Sequence, residues 1–435
     1  MSRRHLSIKT TDTMIVLLDL DGTLVNTAHS SFKPLKDGLI ETNLAAIPVI
    51  NGAREFVLNL TNLGHSAIII SDSHPRYVNA IAKQIFNLPA LCLADKPNAR
   101  KTIDYLAQSG HDIQLKENFV VVGDTWLDIE LARALNFPSI LTQFYTSNEV
   151  DQRDGIGKTW HQLKSGPTYV VKQFSQIFEI LQNPLANLWA AEAIFQNVNT
   201  FCAIRLNDLR VNDHMTIFRS LGRQDVGECD RFGIATYYTE FQRVGRSQPT
   251  LNKFAEAVKN FVDNVVASAP QLRWDYMTYV ADKASTNPPN KMSEFFELVS
   301  SPIPKIRLLQ WVDTVDGSIR NRINYKERRG FIHQNLHVIP GIDLTGKSVI
   351  IIDDQFTSGG TAYEVTDMLR QKGAKNILFL TLFFMTSSVS SSRNCSQCGK
   401  PMQLKIRKSD GIKFFSCTPP QYRGSGCGHI ENIAQ

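Results

Sequence analysis

Four short runs of this chain are apolar at every position and stop at acidic or hydroxyl residues. They are MIVLL (14 to 18) before DLDGT, AIII (67 to 70) before SDSH, FVVV (119 to 122) before GDTWLD, and VIII (349 to 352) before DDQFTSGGTA. A run of that length reads as a strand buried on both faces, and the helix-like segments between the first three runs make them a parallel α/β sheet covered on both sides. In an open sheet of that kind ligands bind at the C-terminal strand ends, where these polar residues lie.

The chain is long enough for more than one such sheet. At 435 residues it exceeds what a single core usually fills, so two or three domains are expected. No apolar run reaches the 18 or so residues needed to span a bilayer, and MSRRHLSIKTTDT carries basic residues without an apolar stretch, so a cytoplasmic protein is expected. Periodicity is lost over 143 to 167, a helical stretch is expected over about 168 to 196, and 197 to 234 shows no clear pattern. From about 235 the α/β pattern returns, with strand-like YYTEF, a helix over LNKFAEAVKNFVDNVVAS, and strands YMTYV (276 to 280), VIII and ILFLTLFF (377 to 384). SSVSSSRN (387 to 394) reads as a hinge into a basic, cysteine-rich tail.

The first three strand ends carry a coherent chemistry. Asp19 and Asp21, two apart after a strand, can face the same side of its end. One carboxylate can attack phosphorus while the other handles the leaving-group proton. Both repel a phosphate dianion, so a divalent cation is required, and Mg²⁺ favours a few carboxylates together with phosphate oxygens. Asp124 and Asp128 supply further oxygen ligands, Ser71 offers the phosphate a hydroxyl, and Lys96 offers the transition state a positive charge.

In the order DLDGT, Ser71, Lys96-Pro97 and GDTWLD, residues 12 to 150 resemble the haloacid dehalogenase superfamily of phosphohydrolases. The resemblance implies Asp19 as nucleophile through an aspartyl-phosphate and Asp21 as general acid/base. It also implies Ser71 and Lys96 as phosphate ligands, with Asp19, Asp21, Asp124 and Asp128 on the magnesium side. Neither the gap from Asp19 to Ser71 nor that from Ser71 to Lys96 holds a full cap domain, so an open site is expected, able to admit a phosphorylated small molecule or a polynucleotide end.

At the fourth strand end the chemistry differs. Thr357, Ser358, Gly359, Gly360 and Thr361 form a small-residue turn before a helix, which presents backbone N–H groups and hydroxyls to a phosphate monoester. Asp353 and Asp354 suit the vicinal hydroxyls of a ribose, directly or beside Mg²⁺. Together they resemble the phosphoribosyl-pyrophosphate signature of type I phosphoribosyltransferases, and residues 235 to 388 are most similar to the competence-associated branch. The resemblance implies a pyrophosphate loop at Ala281 to Ser285, including Asp282 and Lys283. It also implies a mobile basic loop over 320 to 330, including Arg320 and Arg322, although that run reads equally as a solvated face. Phosphoribosyl pyrophosphate is then a substrate beside a nitrogenous acceptor, and a homo-oligomer through this domain is possible. A domain that only senses phosphoribosyl pyrophosphate or a nucleotide, or that only positions a polynucleotide for the phosphatase, is the alternative.

Four of the seven cysteines lie in the tail, as C-x2-C at Cys395 and Cys398 and C-x9-C at Cys417 and Cys427. Two cysteines on a tight knuckle, with the later pair, fit tetrahedral S₄ coordination of Zn²⁺, which so short a segment needs in place of a core. His429 in place of Cys427 is the variant ligand set. Residues 395 to 430 resemble the C-terminal zinc ribbons of bacterial type IA topoisomerases, which implies single-stranded DNA or RNA binding. Lys405, Arg407, Lys408 and Lys413 would meet phosphates, and Phe414 and Phe415 would stack on bases or else form the ribbon's small core.

The expectation is therefore an α/β chain with two doubly wound parallel-sheet domains joined by a helical connector, plus a small C-terminal zinc ribbon. Its parts are a phosphohydrolase domain over 12–150, a linker and connector over 151–234, a phosphoribosyltransferase domain over 235–388 and a ribbon over 393–435.

Overall fold

The computed structural model describes residues 13–27, 29–144, 159–224, 234–242, 247–283, 290–312, 325–386, 390–397, 401–406, 413–417 and 427–432. The chain divides into two compact units. One comprises Met1–Pro184, Val226–Cys229 and Ser387–Gln435, and the other Leu185–Asp225 and Asp230–Thr386.

In the first unit, β1 (Ile15–Leu18), β2 (Ser66–Ile70), β3 (Ala90–Leu91), β4 (Phe119–Gly123), β5 (Ser139–Thr142) and β6 (Tyr169–Val171) form one sheet in the order β3-β2-β1-β4-β5-β6. All its pairings are parallel. The apolar runs are buried as their sequence requires, with Val16, Leu17 and Leu18 fully inaccessible. Leu17 pairs with Ile68 on one side and Val121 on the other, and all three belong to one core cluster with Leu106, Phe119, Leu131 and Phe137. Strand order reverses direction between β1 and β4, and at that point adjacent crossovers leave on opposite faces and open a crevice. Only short elements separate the strand ends. Between β1 and β2 lie Ser30–Phe32, Lys33–Lys36, Leu44–Ala46 and the helix Ala53–Asn62.

The second unit contains β7 (Ile204–Val211), β8 (His214–Ser220), β9 (Arg223–Gln224), β10 (Tyr276–Tyr279), the antiparallel pair β11 (Leu309–Trp311) and β12 (Leu336–Val338), β13 (Ser348–Phe356) and β14 (Asn376–Met385). Its main sheet runs β10-β13-β14-β8-β7, with β9 also beside β14. It is parallel except for β7, which pairs antiparallel with β8. The helix Gln248–Ser268 buries Leu251, Phe254, Val258 and Phe261 along one stripe, and Phe254 meets Phe383 of β14 edge-on at 5.1 Å.

Several elements differ from the sequence reading. Residues 151–234, expected as linker and connector, supply β6 to the first sheet and β7 to β9 to the second. YYTEF lies in the helix Ile234–Gln242 rather than a strand, because Phe241 at the helical spacing from Tyr237 and Tyr238 packs on Phe254 and Phe295. The part of the basic run from Tyr325 onward is the helix Tyr325–Asn335, while Arg320 and Arg322 lie outside the described residues.

In the tail, β15 (Ser390–Asn394), β16 (Pro401–Ile406), β17 (Lys413–Ser416) and β18 (Ile430–Asn432) form an antiparallel sheet of four strands. No helix among the described residues is long and apolar enough to cross a membrane.

Leu17 sits at the centre of the first sheet, so Leu17→Ala is expected to destabilise this unit by about 2 to 5 kcal/mol. Denaturant unfolding followed by the transition of this unit would register the shift; a midpoint equal to wild type would contradict the packing described.

Candidate functional sites

The register of β1 with β2 and β4 places the first constellation along one edge. Leu18 aligns with Ile69 and Val122, so Asp19, Ser71 and Asp124 all follow within two residues of that level. Lys96 reaches the same point from a loop in which Leu93 and Asp95 take the left-handed conformation, which non-glycine residues rarely adopt. Its Nζ lies 2.6 Å from Asp19 Oδ1 and 2.6 Å from Asp128 Oδ1, with the lysine side chain 5% exposed. Asp72 fixes the loop by accepting the Lys96 backbone N–H at 2.9 Å.

Asp128 is held from two sides. Its Oδ2 accepts the Thr125 N–H at 3.1 Å and the Thr125 hydroxyl at 2.7 Å, which ties the start of the helix Trp126–Leu135. A Cβ on Gly123 would stand 2.3 Å from Asp128 Cγ, so only glycine leaves the room that this carboxylate fills. Asp19, Asp124 and Asp128 are all buried, and one oxygen from each lies within 4.8 Å of the others.

That donor set, three hard anionic oxygens in a small volume, fits Mg²⁺. Asp21, also expected as a magnesium ligand, has its carboxylate engaged elsewhere. Its Oδ1 accepts the hydroxyls of Thr27 at 2.6 Å and Tyr77 at 2.7 Å, and its Oδ2 that of Ser73 at 2.9 Å. Ser71 is buried beneath this group, its Oγ accepting the Ser73 N–H at 3.2 Å. Thr27, Ser73 and Tyr77 were not anticipated from sequence; the histidine-proline start of the helix Pro75–Ile81 in SDSHPRY is the signal that places Tyr77 on its first turn.

Like charges in a dry crevice perturb one another. Burial, then the carboxylate of Asp128, raises the Asp19 pKa from 3.8 to about 7, although Lys96 opposes the shift. For Lys96 burial pulls the pKa down, but Asp128 and Asp19 outweigh it and hold the ammonium well above its usual range.

In the second unit, β10 and β13 are parallel neighbours, so residues following Tyr279 lie at the same edge as those following Ile352. β13 continues through the acid pair to Phe356, and neighbouring residues on a strand face opposite sides. Asp353 is buried and accepts the Asp354 N–H at 2.9 Å, whereas Asp354 is half-buried beside Lys291 and Gln242. Burial, then the charge of Asp354, pushes the Asp353 carboxyl well above the usual carboxylate range.

Thr357, Ser358 and Gly359 turn the chain into the helix Gly360–Gln371, with Gly359 in the left-handed region at φ 81°. Arg328 stands over this turn, its guanidinium 3.4 Å from Ser358 Oγ. Its neighbour Arg329 pairs with Glu364 at 2.9 Å and Asp367 at 2.6 Å, and His333 Nδ1 lies 2.7 Å from Glu364. The two expected pyrophosphate-loop residues make protein contacts. Asp282 Oδ2 accepts the N–H groups of Met292 and Ser293 at 2.7 and 3.2 Å, at the start of the helix Lys291–Leu298. The ammonium of Lys283 lies over the rings of Phe331 at 4.3 Å and Trp311 at 4.8 Å.

The tail brings Cys395, Cys417 and Cys427 together, their sulfurs within 4.8 Å of one another; Cys398 lies outside the described residues. Three convergent thiols fit Zn²⁺. His429 Nε2 is directed instead to Ser396 Oγ at 3.2 Å and Glu431 at 3.5 Å, so it belongs beside the cluster rather than in place of Cys427. Phe415 packs on Cys395, Met402 and Cys417, and Phe414, its neighbour on β17, faces the other side. Lys405 and Lys413 lie on β16 and β17, whereas Arg407 and Lys408 fall outside the described residues.

No protein-family model matches the sequence. One curated relative, the ribose-phosphate pyrophosphokinase of Thermoplasma acidophilum, is 35% identical over 85 residues, covering 19% of this chain. The chain thus spans only 30% of that relative's length. Among solved structures, a predicted phosphoglycolate phosphatase of Haemophilus somnus 129PT is 14% identical, covering 40% of this chain and 100% of its own, with a TM-score of 0.30. A predicted phosphatase of Clostridium acetobutylicum is 17% identical, covering 38% of this chain and 99% of its own, TM-score 0.30. For a haloacid dehalogenase-superfamily hydrolase of Ehrlichia chaffeensis the figures are 14%, 38%, 95% and 0.28.

Between pH 3.8 and about 7, Asp19 keeps in the folded protein a proton that the unfolded chain has released. Its contribution to stability therefore falls as pH rises through this window in the absence of metal. Asp19→Asn removes that slope, so the variant is expected to gain stability relative to metal-free wild type as pH increases from about 4 to 7, in thermal melts. A difference that stays flat across the window would contradict the assignment. For the tail, elemental analysis is expected to return about one zinc per chain, lost from Cys395→Ser/Cys417→Ser; unchanged zinc in that variant would remove the cluster from consideration.

Proposed function

We propose that the first unit is a Mg²⁺-dependent phosphohydrolase working through an aspartyl-phosphate on Asp19. The observation that carries this reading is the convergence of Asp19, Asp124, Asp128 and the buried Lys96 at the switch point of a parallel sheet. Asp19, Asp124 and Asp128 would hold the cation, which when bound offsets the carboxylates and draws the phosphate oxygens in.

Asp19 attacks phosphorus and the bond to the leaving oxygen breaks, the electron pair departing with that oxygen, which takes its proton from Asp21. A water molecule then attacks the phosphorus of the aspartyl-phosphate, passes its proton to Asp21 and releases inorganic phosphate, regenerating the Asp19 carboxylate. Lys96, fixed between Asp19 and Asp128, faces the negative charge that grows on the equatorial oxygens. The hydroxyls of Thr27, Ser73 and Tyr77 hold Asp21 at the leaving-group side. The substrate class is a phosphate monoester, on a small molecule or at a polynucleotide end.

The second unit we read as a site for ribose 5-phosphate groups, supported by the small-residue turn before the helix Gly360–Gln371, by Arg328 at Ser358, and by the 85-residue similarity to a ribose-phosphate pyrophosphokinase. Phosphoribosyl transfer from phosphoribosyl pyrophosphate is the fuller activity such a site would support.

Both halves are testable on one preparation. Asp19→Asn is expected to lower phosphate release from a generic aryl phosphate by at least about 10³-fold, leaving the fold intact; retention of activity would exclude the aspartyl-phosphate route. Pyrophosphate release from phosphoribosyl pyrophosphate, assayed with free bases and single-stranded oligonucleotides, is expected to fall to background in Asp353→Asn/Asp354→Asn. Release that survives this double substitution would place transfer elsewhere, and wild type that binds without release would leave the unit a sensor.

A further inference from the structure

Two acids and a phosphate-binding turn at one strand end concentrate negative charge once a phosphorylated ligand enters, and something positive must answer it. A divalent cation held by carboxylates is one such answer. Among the described residues, the second unit does not offer that donor set. Asp282 is committed to the first turn of the helix Lys291–Leu298, and Asp353 is buried against the backbone of Asp354. Among the described residues, groups of three or more convergent acidic, cysteine or histidine ligands occur at Asp19 and at Cys395, and none includes Asp354.

A cation is nevertheless in place. Lys291, the first residue of the helix Lys291–Leu298, ion-pairs through Nζ with Asp354 Oδ2, and the same ammonium donates to Gln242 Oε1 at 2.9 Å. Gln242 in turn donates through Nε2 to Asp354 Oδ2 at 2.9 Å, which closes a triangle of three side chains. The lysine side chain is 8% exposed, with its ammonium 5.7 Å from the centre of the Phe241 ring. Because Asp282 anchors the helix start at Met292 and Ser293, the lysine backbone cannot drift from the acid. A buried ammonium in so fixed a position neutralises one carboxylate continuously.

We propose that Lys291 is a built-in cation of the second site, standing where a divalent metal ion would otherwise answer Asp354, so that this unit takes its ribose-phosphate ligand without metal. The proposal rests on the reading of that unit as a ribose-phosphate site. Asp354 then meets the ribose hydroxyls with its charge already compensated, and Gln242 fixes its orientation. Positive charge for the phosphate comes from Arg328 over the turn. The ligand class is a ribose 5-phosphate or nucleoside monophosphate, whose single phosphate needs no metal to bridge adjacent phosphoryl groups.

The test uses the full chain carrying Asp19→Asn, so that the first site turns nothing over. Ribose 5-phosphate binding is followed by calorimetry in EDTA and in Mg²⁺, and Gly359→Val, which places a Cβ against Tyr363 and Phe356 at a left-handed position, assigns the heat to the second unit. Affinity is expected to be the same in EDTA and Mg²⁺ within about twofold. Lys291→Met is expected to lose about tenfold in EDTA and to recover in Mg²⁺, whereas Lys291→Arg, which keeps the charge, behaves as the parent. An affinity in the Lys291-containing chain that drops about tenfold or more on chelation would overturn the proposal, as would Lys291→Met binding normally in EDTA. Mn²⁺ counting by electron paramagnetic resonance, in chains with Asp128→Asn added, decides the cation independently of the sugar. No Mn²⁺ in the second unit supports Lys291 as its cation even if ribose 5-phosphate fails to bind, an outcome that would reject the ligand class alone; a bound Mn²⁺ rejects the proposal.

Discussion

Burial of carboxylates at the end of a parallel sheet is the constraint around which the first unit is organised. Three acids share a volume in which none is exposed, and in low dielectric their mutual repulsion has no solvent to relieve it. Lys96 is what makes the arrangement tolerable, bonded to Asp19 and Asp128 at once. Its placement requires a loop with two residues in the left-handed region, a strain offset by the two ion pairs and by the Asp72 bond to its own N–H. Gly123 belongs to the same constraint, since any side chain there would expel Asp128.

The strand ends of both units were legible because burial on both faces leaves an unmistakable pattern. The runs around Leu17, Ile69, Val121 and Ile351 are apolar at every position, and all four strands form where the sequence places them. What escaped was structure whose burial is one-sided. β7, at the edge of its sheet, buries only Ile204 and leaves residues such as Arg205, Asp208 and Arg210 exposed or half-buried, so residues 204–211 carry little apolar signal. YYTEF failed for the opposite reason, since tyrosine and phenylalanine favour strands intrinsically and only the packing of Phe241 on two other rings decides for helix.

Within the sites, motif residues were easier to find than the groups that hold them. Asp19, Lys96 and Asp128 stand in a recognisable order, but Tyr77 lies 56 residues from the Asp21 that it contacts. Lys291 and Gln242 likewise lie 63 and 112 residues from Asp354. A lysine at the start of a helix reads from sequence as an ordinary surface charge. Only the parallel pairing of β10 with β13, which brings the segment after Tyr279 to the acid pair, gives it a partner.

The two units thus meet the same electrostatic problem with different means, and the difference bears on what each can do. In the first, one lysine faces three buried carboxylates, and burial, then the charge of Asp128, leaves Asp19 inclined to hold a proton. Such a site gains from a divalent cation, and a carboxylate kept close to its protonation threshold is one whose charge can be switched by what binds beside it. In the second, the ammonium of Lys291 matches Asp354 one for one, while Asp353 is turned inward and inclined to stay neutral. The charge of Asp354 is therefore answered before any ligand arrives. The charges of the first unit thus stay out of balance until something positive binds, whereas in the second the charge of Asp354 is already paired.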